Sequence, residues 1–212
     1  MPGGAKIGAH SLRIKRSLGV TEVPRVYSPP IMPDRHLMVD IETFDVEVTA
    51  TILAIGAVVF DPRQDSLDDL HYHSTVSAKS QHDRTVSEET QEWWRQQDQD
   101  AQDSVFKGAQ LPLAIVLADF TAWINKLKPT CTRVWAKSPD FDCAILKHAC
   151  EQHGIIWPFK FWEARCCRTA MELAYPEGDF PHVALDGPKH DALADAKKQA
   201  IEIQHAYHIL DA

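Results

Sequence analysis

Two carboxylates stand two residues apart in Asp40-Ile41-Glu42, directly after the apolar run Leu37-Met38-Val39. On an extended strand a period of two turns both to one face. Far along the chain, His190-Asp191-Ala192-Leu193-Ala194-Asp195 sets a histidine five residues before an aspartate, at the start of an alanine-rich stretch. Between these lies Ser138-Pro139-Asp140-Phe141-Asp142, with two more acids. Several anionic oxygens gathered in one place suit hard divalent ions such as Mg2+ or Mn2+. A pair of such ions stabilises the attacking and leaving oxygens of an in-line displacement at phosphorus. Histidine titrates near neutral pH, so His190 is suited to take a proton from the attacking water. Alone, each fragment is ordinary: acid-x-acid pairs decorate strand ends, and acids at a helix start complement the macrodipole. Their order and spacing together carry the chemistry.

These residues need elements to hold them. The run from His36 to Glu42 reads as a strand. Thr51 to Phe60 reads as a second, ended by Asp61-Pro62, and His71 to Val76 as a third, the three forming an antiparallel meander. Helical character follows. Thr85-Val86-Ser87-Glu88 matches a capping box and introduces the segment with Trp93 and Trp94. Leu113 to Leu127 has apolar residues at near-helical spacing, Arg133 to Ala136 is a short strand, and Phe141 to His153 is a helix stopped by Gly154. Arg168 to Ala174 and Asp191 to Ile209 complete the helices. Strands first, then helix and strand in alternation, predict a mixed α/β domain.

Residues 1–35 hold four glycines and five prolines without sustained periodicity, and read as a flexible N-terminal arm ahead of a domain over residues 36–212. Six basic residues against two acidic ones give the arm a charge of +4, which leaves −12 for the rest of a chain of net charge −8. An acidic body argues against coating nucleic acid by bulk electrostatics, but not against an enzyme whose clustered acids bind metal. Five cysteines, two adjacent, make a poor disulfide framework and suit a reducing, cytoplasmic setting. Cys143 and Cys150 are seven apart, one stripe of a helix, and read as buried small hydrophobes rather than zinc ligands. No stretch reaches the roughly 20 apolar residues of a membrane span.

Asp40-Ile41-Glu42-Thr43, then Phe141-Asp142, then His190-x-Ala192-x-x-Asp195, resembles the DEDDh 3′→5′ exonucleases of the ribonuclease-H-like superfamily. The resemblance spans residues 36 to 210. Ala54-Ile55-Gly56-Ala57-Val58 and Trp93-Trp94-Arg95-Gln96-Gln97 align it with the bacterial and phage branch similar to mycobacterial RNase AS. It implies a ribonuclease-H-like mixed sheet flanked by helices. It also implies two Mg2+ or Mn2+ ions held by Asp40, Glu42, Asp142 and Asp195, with His190 as general base. The family motif, an acid directly after an aromatic at a helix start, selects Asp142 over Asp140. The implied substrate is single-stranded RNA or DNA with a free 3′ end, released as nucleoside 5′-monophosphates, the terminal nucleotide lying near Thr43 and Phe44. A homodimer is a further expectation from the resemblance.

Trp93 and Trp94 point about 100° apart on a helix, so one is expected in the core and one is free to meet substrate. Trp123 and Trp135 read as core, and His182 as an exposed loop histidine. Arg168-Thr169 could meet a phosphate or form a structural ion pair. Two rival readings use the same residues. A catalytically silent nucleic-acid- or partner-binding protein would keep the scaffold without turnover, and an endonuclease of the superfamily would need the paired acids but not the histidine motif.

Overall fold

The computed structural model describes residues 34–128, 130–184 and 189–211. The expected basic arm falls outside these, except that Asp34 and Arg35 are described and Arg35 opens the first strand. Asp186-Gly187-Pro188, the loop before His190, also lies outside them.

Five strands form one sheet: β1 (Arg35–Thr43), β2 (Ile52–Phe60), β3 (Leu67–Thr75), β4 (Cys131–Ala136) and β5 (Ala164–Cys166), in the order β3-β2-β1-β4-β5. β1, β2 and β3 pair antiparallel, the expected meander, while β4 and β5 add in parallel beside β1. Six helices accompany them among the described residues: α1 (Glu88–Arg95), α2 (Gln99–Phe106), α3 (Leu113–Leu127), α4 (Asp142–Gln152), α5 (Cys167–Ala174) and α6 (Ala192–Leu210). This is the mixed α/β architecture expected from the sequence. No described helix is long and apolar enough to cross a membrane.

Period-two burial organises the central strand. Leu37, Val39 and Ile41 pack against Leu117 and Phe120 of α3 and Ile145 and Leu146 of α4. Met38 faces the opposite layer, with Cys167 of α5 and Ala196, Ala200 and Ile203 of α6. Asp40 and Glu42 continue that second face, which places them under α6. α6 can lie close to the sheet because Ala192, Ala196 and Ala200 form a small-residue stripe with almost no exposed surface. Closest approach falls at Gly56 of β2, where an added Cβ would lie 2.2 Å from the carbonyl carbon of Ala192. Gly56 is also the register partner of Asp40. The residue across from the first carboxylate therefore sets the height of the helix that carries the last one.

Some element boundaries differ from expectation for local reasons. The cap of α1 is Ser87, whose side chain accepts the Thr90 N–H at 3.3 Å, two residues after the expected Thr85. β3 starts at Leu67 rather than His71. α2 gave little sequence signal because only Ala101 and Val105 of its eight residues are buried. β5 is three residues long, too short for any periodicity. Cys143 and Cys150 are buried, and all five cysteines are free thiols.

Candidate active site

β1 delivers the first two carboxylates from its C-terminal half. The β1–β4 ladder ends at the pair Met38–Trp135. Beyond it the Ile41 N–H has no strand partner on that side and donates to Asp142 Oδ1 at 3.2 Å. Asp142 opens α4 and is 4% exposed, while Asp140 is turned to solvent. A strand that stops early thus leaves room for a helix start, and the freed amide anchors the third carboxylate.

α6 supplies the fourth. Its N-cap is Asp191, which accepts the Ala194 N–H at 2.8 Å, and Asp195 stands in the first turn. Four residues on, and so on the same helix face, Gln199 donates from Nε2 to Asp40 Oδ1 at 2.7 Å. Its other amide atom, Oε1, is buried without a donor among the described residues. Just before the helix, His190 has φ of 58°, a left-handed backbone uncommon outside glycine. Its carbonyl accepts from Ser104 Oγ of α2 at 3.1 Å. The imidazole lies edge-on to Trp93, with centroids 4.7 Å apart. Ligand atoms of Glu42, His190 and Asp195 all fall within 4.8 Å of one another.

Asp40, Glu42, Asp142, His190 and Asp195 therefore line one cleft of about 670 Å3, with Lys137, Arg168, Lys189 and Lys198 on its walls. Burial, then the charges of Asp142 and Asp195, holds the Asp40 carboxyl well above the usual range. Glu42 is raised in the same way by burial and by its acidic neighbours. Burial pushes Asp142 up to about 7 against the opposing Ile41 amide and Arg168. Asp195 is raised by burial, opposed by His190, Lys198 and Lys137. Four carboxylates are thus assembled where protein cations only partly offset them. That donor set, with an orphaned amide oxygen beside Asp40, fits hard divalent cations and their associated water.

A second hollow of about 480 Å3 adjoins the cleft through Ile41, Glu42 and Phe141. Thr43, Asp45, Glu89 and Trp93 line it. Phe44 does not: it stacks on Phe106 (5.6 Å) and lines a separate hollow behind Trp94. Of the tryptophan pair, Trp94 is the core member, 2% exposed, and its indole N–H donates to the Thr43 carbonyl at 2.9 Å. Trp93 is 40% exposed beside His190. Trp135 is buried and Trp123 packs against the core. His182 is exposed. Gln199 and Lys137 carried no signal of their own, because a lone glutamine or lysine acquires meaning only from what the fold places against it.

A family model for the Rv2179c-like 3′-5′ exoribonuclease domain matches residues 35–207. The chain belongs to this family. It carries a 3′-5′ exoribonuclease domain of this type, on a fold shared with the nuclease domain of a DEDDh family member. Among solved structures, the chain is similar to cell-death related nuclease 4 (CRN-4), with a TM-score of 0.60 and 16% identity over 82% of this chain. It spans 64% of that nuclease's length. The nuclease domain of 3′hExo, a DEDDh family member bound to rAMP, matches with a TM-score of 0.54 and 14% identity, covering 84% of this chain and 93% of that one. At such identities the structural likeness speaks for the fold. No curated protein matches the sequence.

Proposed function

We propose that this exonuclease removes nucleotides from the 3′ end of single-stranded RNA as nucleoside 5′-monophosphates, with His190 as general base in a two-metal site. The observation that carries the reading is the convergence of the Glu42, His190 and Asp195 ligand atoms within 4.8 Å, in the cleft that Asp40 and Asp142 also line. The family's designation as exoribonuclease supports RNA as the substrate.

Asp40, Glu42, Asp142 and Asp195 would hold two Mg2+ or Mn2+ ions, which supply Lewis acidity at the attacking and leaving oxygens. The remaining work falls to the protein. His190, held between its Ser104 contact and the edge of Trp93, accepts the proton of the attacking water, a contribution of about 10²–10⁴-fold. Gln199 fixes one oxygen of Asp40, a residue that lines the cleft. The adjoining hollow, with Thr43 on its wall and Trp93 at its side, receives the terminal nucleoside. Phe44 acts behind it as packing for Trp94. Five free thiols support a reducing, cytoplasmic setting.

The test offers matched 3′-tailed RNA and single-stranded DNA oligonucleotides with Mg2+ or Mn2+ to the wild type, Asp40→Ala and His190→Ala. Expected are release of 5′-mononucleotides by the wild type, faster from RNA, no detectable release by Asp40→Ala, and roughly 10²–10⁴-fold slower release by His190→Ala. Equal release by all three would sink the site. Cleavage of a circular single strand would make the enzyme an endonuclease.

A further inference from the structure

The carboxylate cleft has a second neighbouring hollow, which shares no residue with the one beside Trp93. A hollow of about 340 Å3 shares Lys137 and Arg168 with the cleft and extends over Cys167 and Met171 to Phe180, with Glu172 and Glu202 also on its wall. The terminal-nucleotide hollow joins the cleft through different residues, Ile41, Glu42 and Phe141. The three cavities therefore form a continuous path with the carboxylates in the middle.

We propose that this second hollow seats the nucleotide immediately upstream of the scissile phosphate, its base against Phe180 and its 3′-side phosphate steered by Lys137 and Arg168. The inference rests on the exonuclease reading, in which a strand must leave the cleft on the side opposite its terminal nucleoside. Three features fit that occupant. Lys137 and Arg168 are solvent-exposed cations at the junction of cleft and hollow, and among the described residues neither forms a salt bridge. Phe180 is 48% exposed yet held edge-on to Tyr175 at 6.1 Å, so its ring is available without being loose. A π-face of this kind takes any base, as single-strand platforms do. Glu172 and Glu202 are the opposing charges. They disfavour a phosphate deeper in the hollow, which confines it to the Lys137–Arg168 mouth, and they can accept hydrogen bonds from sugar hydroxyls or base amino groups.

The decisive comparison uses two RNA strands that differ only at the penultimate residue, one with its base and one carrying a stable abasic sugar. First-nucleotide release is measured in single turnover for the wild type, Phe180→Ala and Phe180→Trp. Expected is a roughly tenfold preference of the wild type for the strand with the base, the size of one aromatic–base contact. Phe180→Ala should lose that preference and Phe180→Trp keep it. An equal preference in the wild type and Phe180→Ala, or none in the wild type, would overturn the proposal. Failure of the wild type to release a nucleotide from either strand would instead remove the exonuclease reading, and this inference with it.

Discussion

The two ends of β1 solve the problem of buried polar groups in opposite ways. At the N-terminal end His36 is 4% exposed and fully engaged. Its Nδ1 accepts the Trp135 indole N–H at 2.9 Å, Nε2 faces Asp34 at 3.4 Å, and its ring meets Phe60 edge-on at 5.9 Å. Four residues on, about 13 Å along the strand, Asp40 stands among like charges with Gln199 as its hydrogen-bond partner among the described residues. Burial drives both groups toward neutrality, lowering His36 to about 4 and raising Asp40. At His36 neutrality is the resting state, and the surrounding hydrogen bonds are built for it. At Asp40 it marks a cluster of carboxylates that the protein's own cations only partly offset. One strand thus carries a stabilising end and a destabilised end that lies in the proposed site.

The comparison can be broken most severely at Gly56, which sits across from Asp40 and beneath α6. Gly56→Ala would push a methyl group into the backbone of Ala192. A stability loss of about 3 kcal/mol is expected from overpacking, with a roughly 100-fold fall in kcat/KM as Asp195 and His190 are displaced. Thermal melts and initial rates on RNA would show both; a variant with wild-type rates would mean that the height of α6 does not matter.

A smaller effect on stability, of opposite sign, is expected at the carboxylates. Because the folded-state pKa of Asp142 is raised from 3.8 to about 7, the folded protein binds more protons than the unfolded chain between those values. The stability this group contributes without divalent ions is full below about pH 4 and lost as pH rises through 7. Asp142→Asn should remove part of that slope and stabilise the metal-free protein at pH 8 by on the order of 1–3 kcal/mol, while abolishing nucleotide release. Added Mg2+ should raise the melting temperature of the wild type at pH 8 more than that of the variant. A variant less stable than the wild type at pH 8 without metal would contradict this picture.

An effect on stability alone should come from the other end. His36→Leu leaves the Trp135 indole N–H without its acceptor, for about 1–3 kcal/mol at pH 7, with specific activity unchanged. His36 has a folded-state pKa lowered from 6.5 to about 4, so the stability it contributes is present above 6.5 and fades as pH falls toward 4. Urea denaturation midpoints of variant and wild type should therefore converge across that window. A constant gap would mean that His36 does not titrate on unfolding.

Much of this was legible in the sequence where the deciding forces are local. α3 runs over the expected Leu113–Leu127, since its apolar spacing is strong and uninterrupted. The α1 cap moved to Ser87 because Thr85 is drawn into backbone pairing with Thr49 and Thr51. Thr43 and Phe44 are sequence neighbours with different fates: the bulge after Glu42 leaves Thr43 on the hollow beside Trp93 while Phe44 turns to Phe106. Adjacent residues cannot be separated in this way without knowing what packs behind them.

By itself the sequence determined that Asp40 and Glu42 share a strand face, and that Asp195 opens a helix just after His190. Both follow from periods of two and 3.6 residues that any short segment obeys. Only the tertiary structure decided that Gln199, 159 positions away, holds Asp40. It also decided that Gly56 admits α6, and that Lys137 and Arg168 join the cleft to a further hollow. Such contacts depend on parallel pairing of β1 with β4 and on the packing of α6, and long-range packing leaves no periodic trace in the chain.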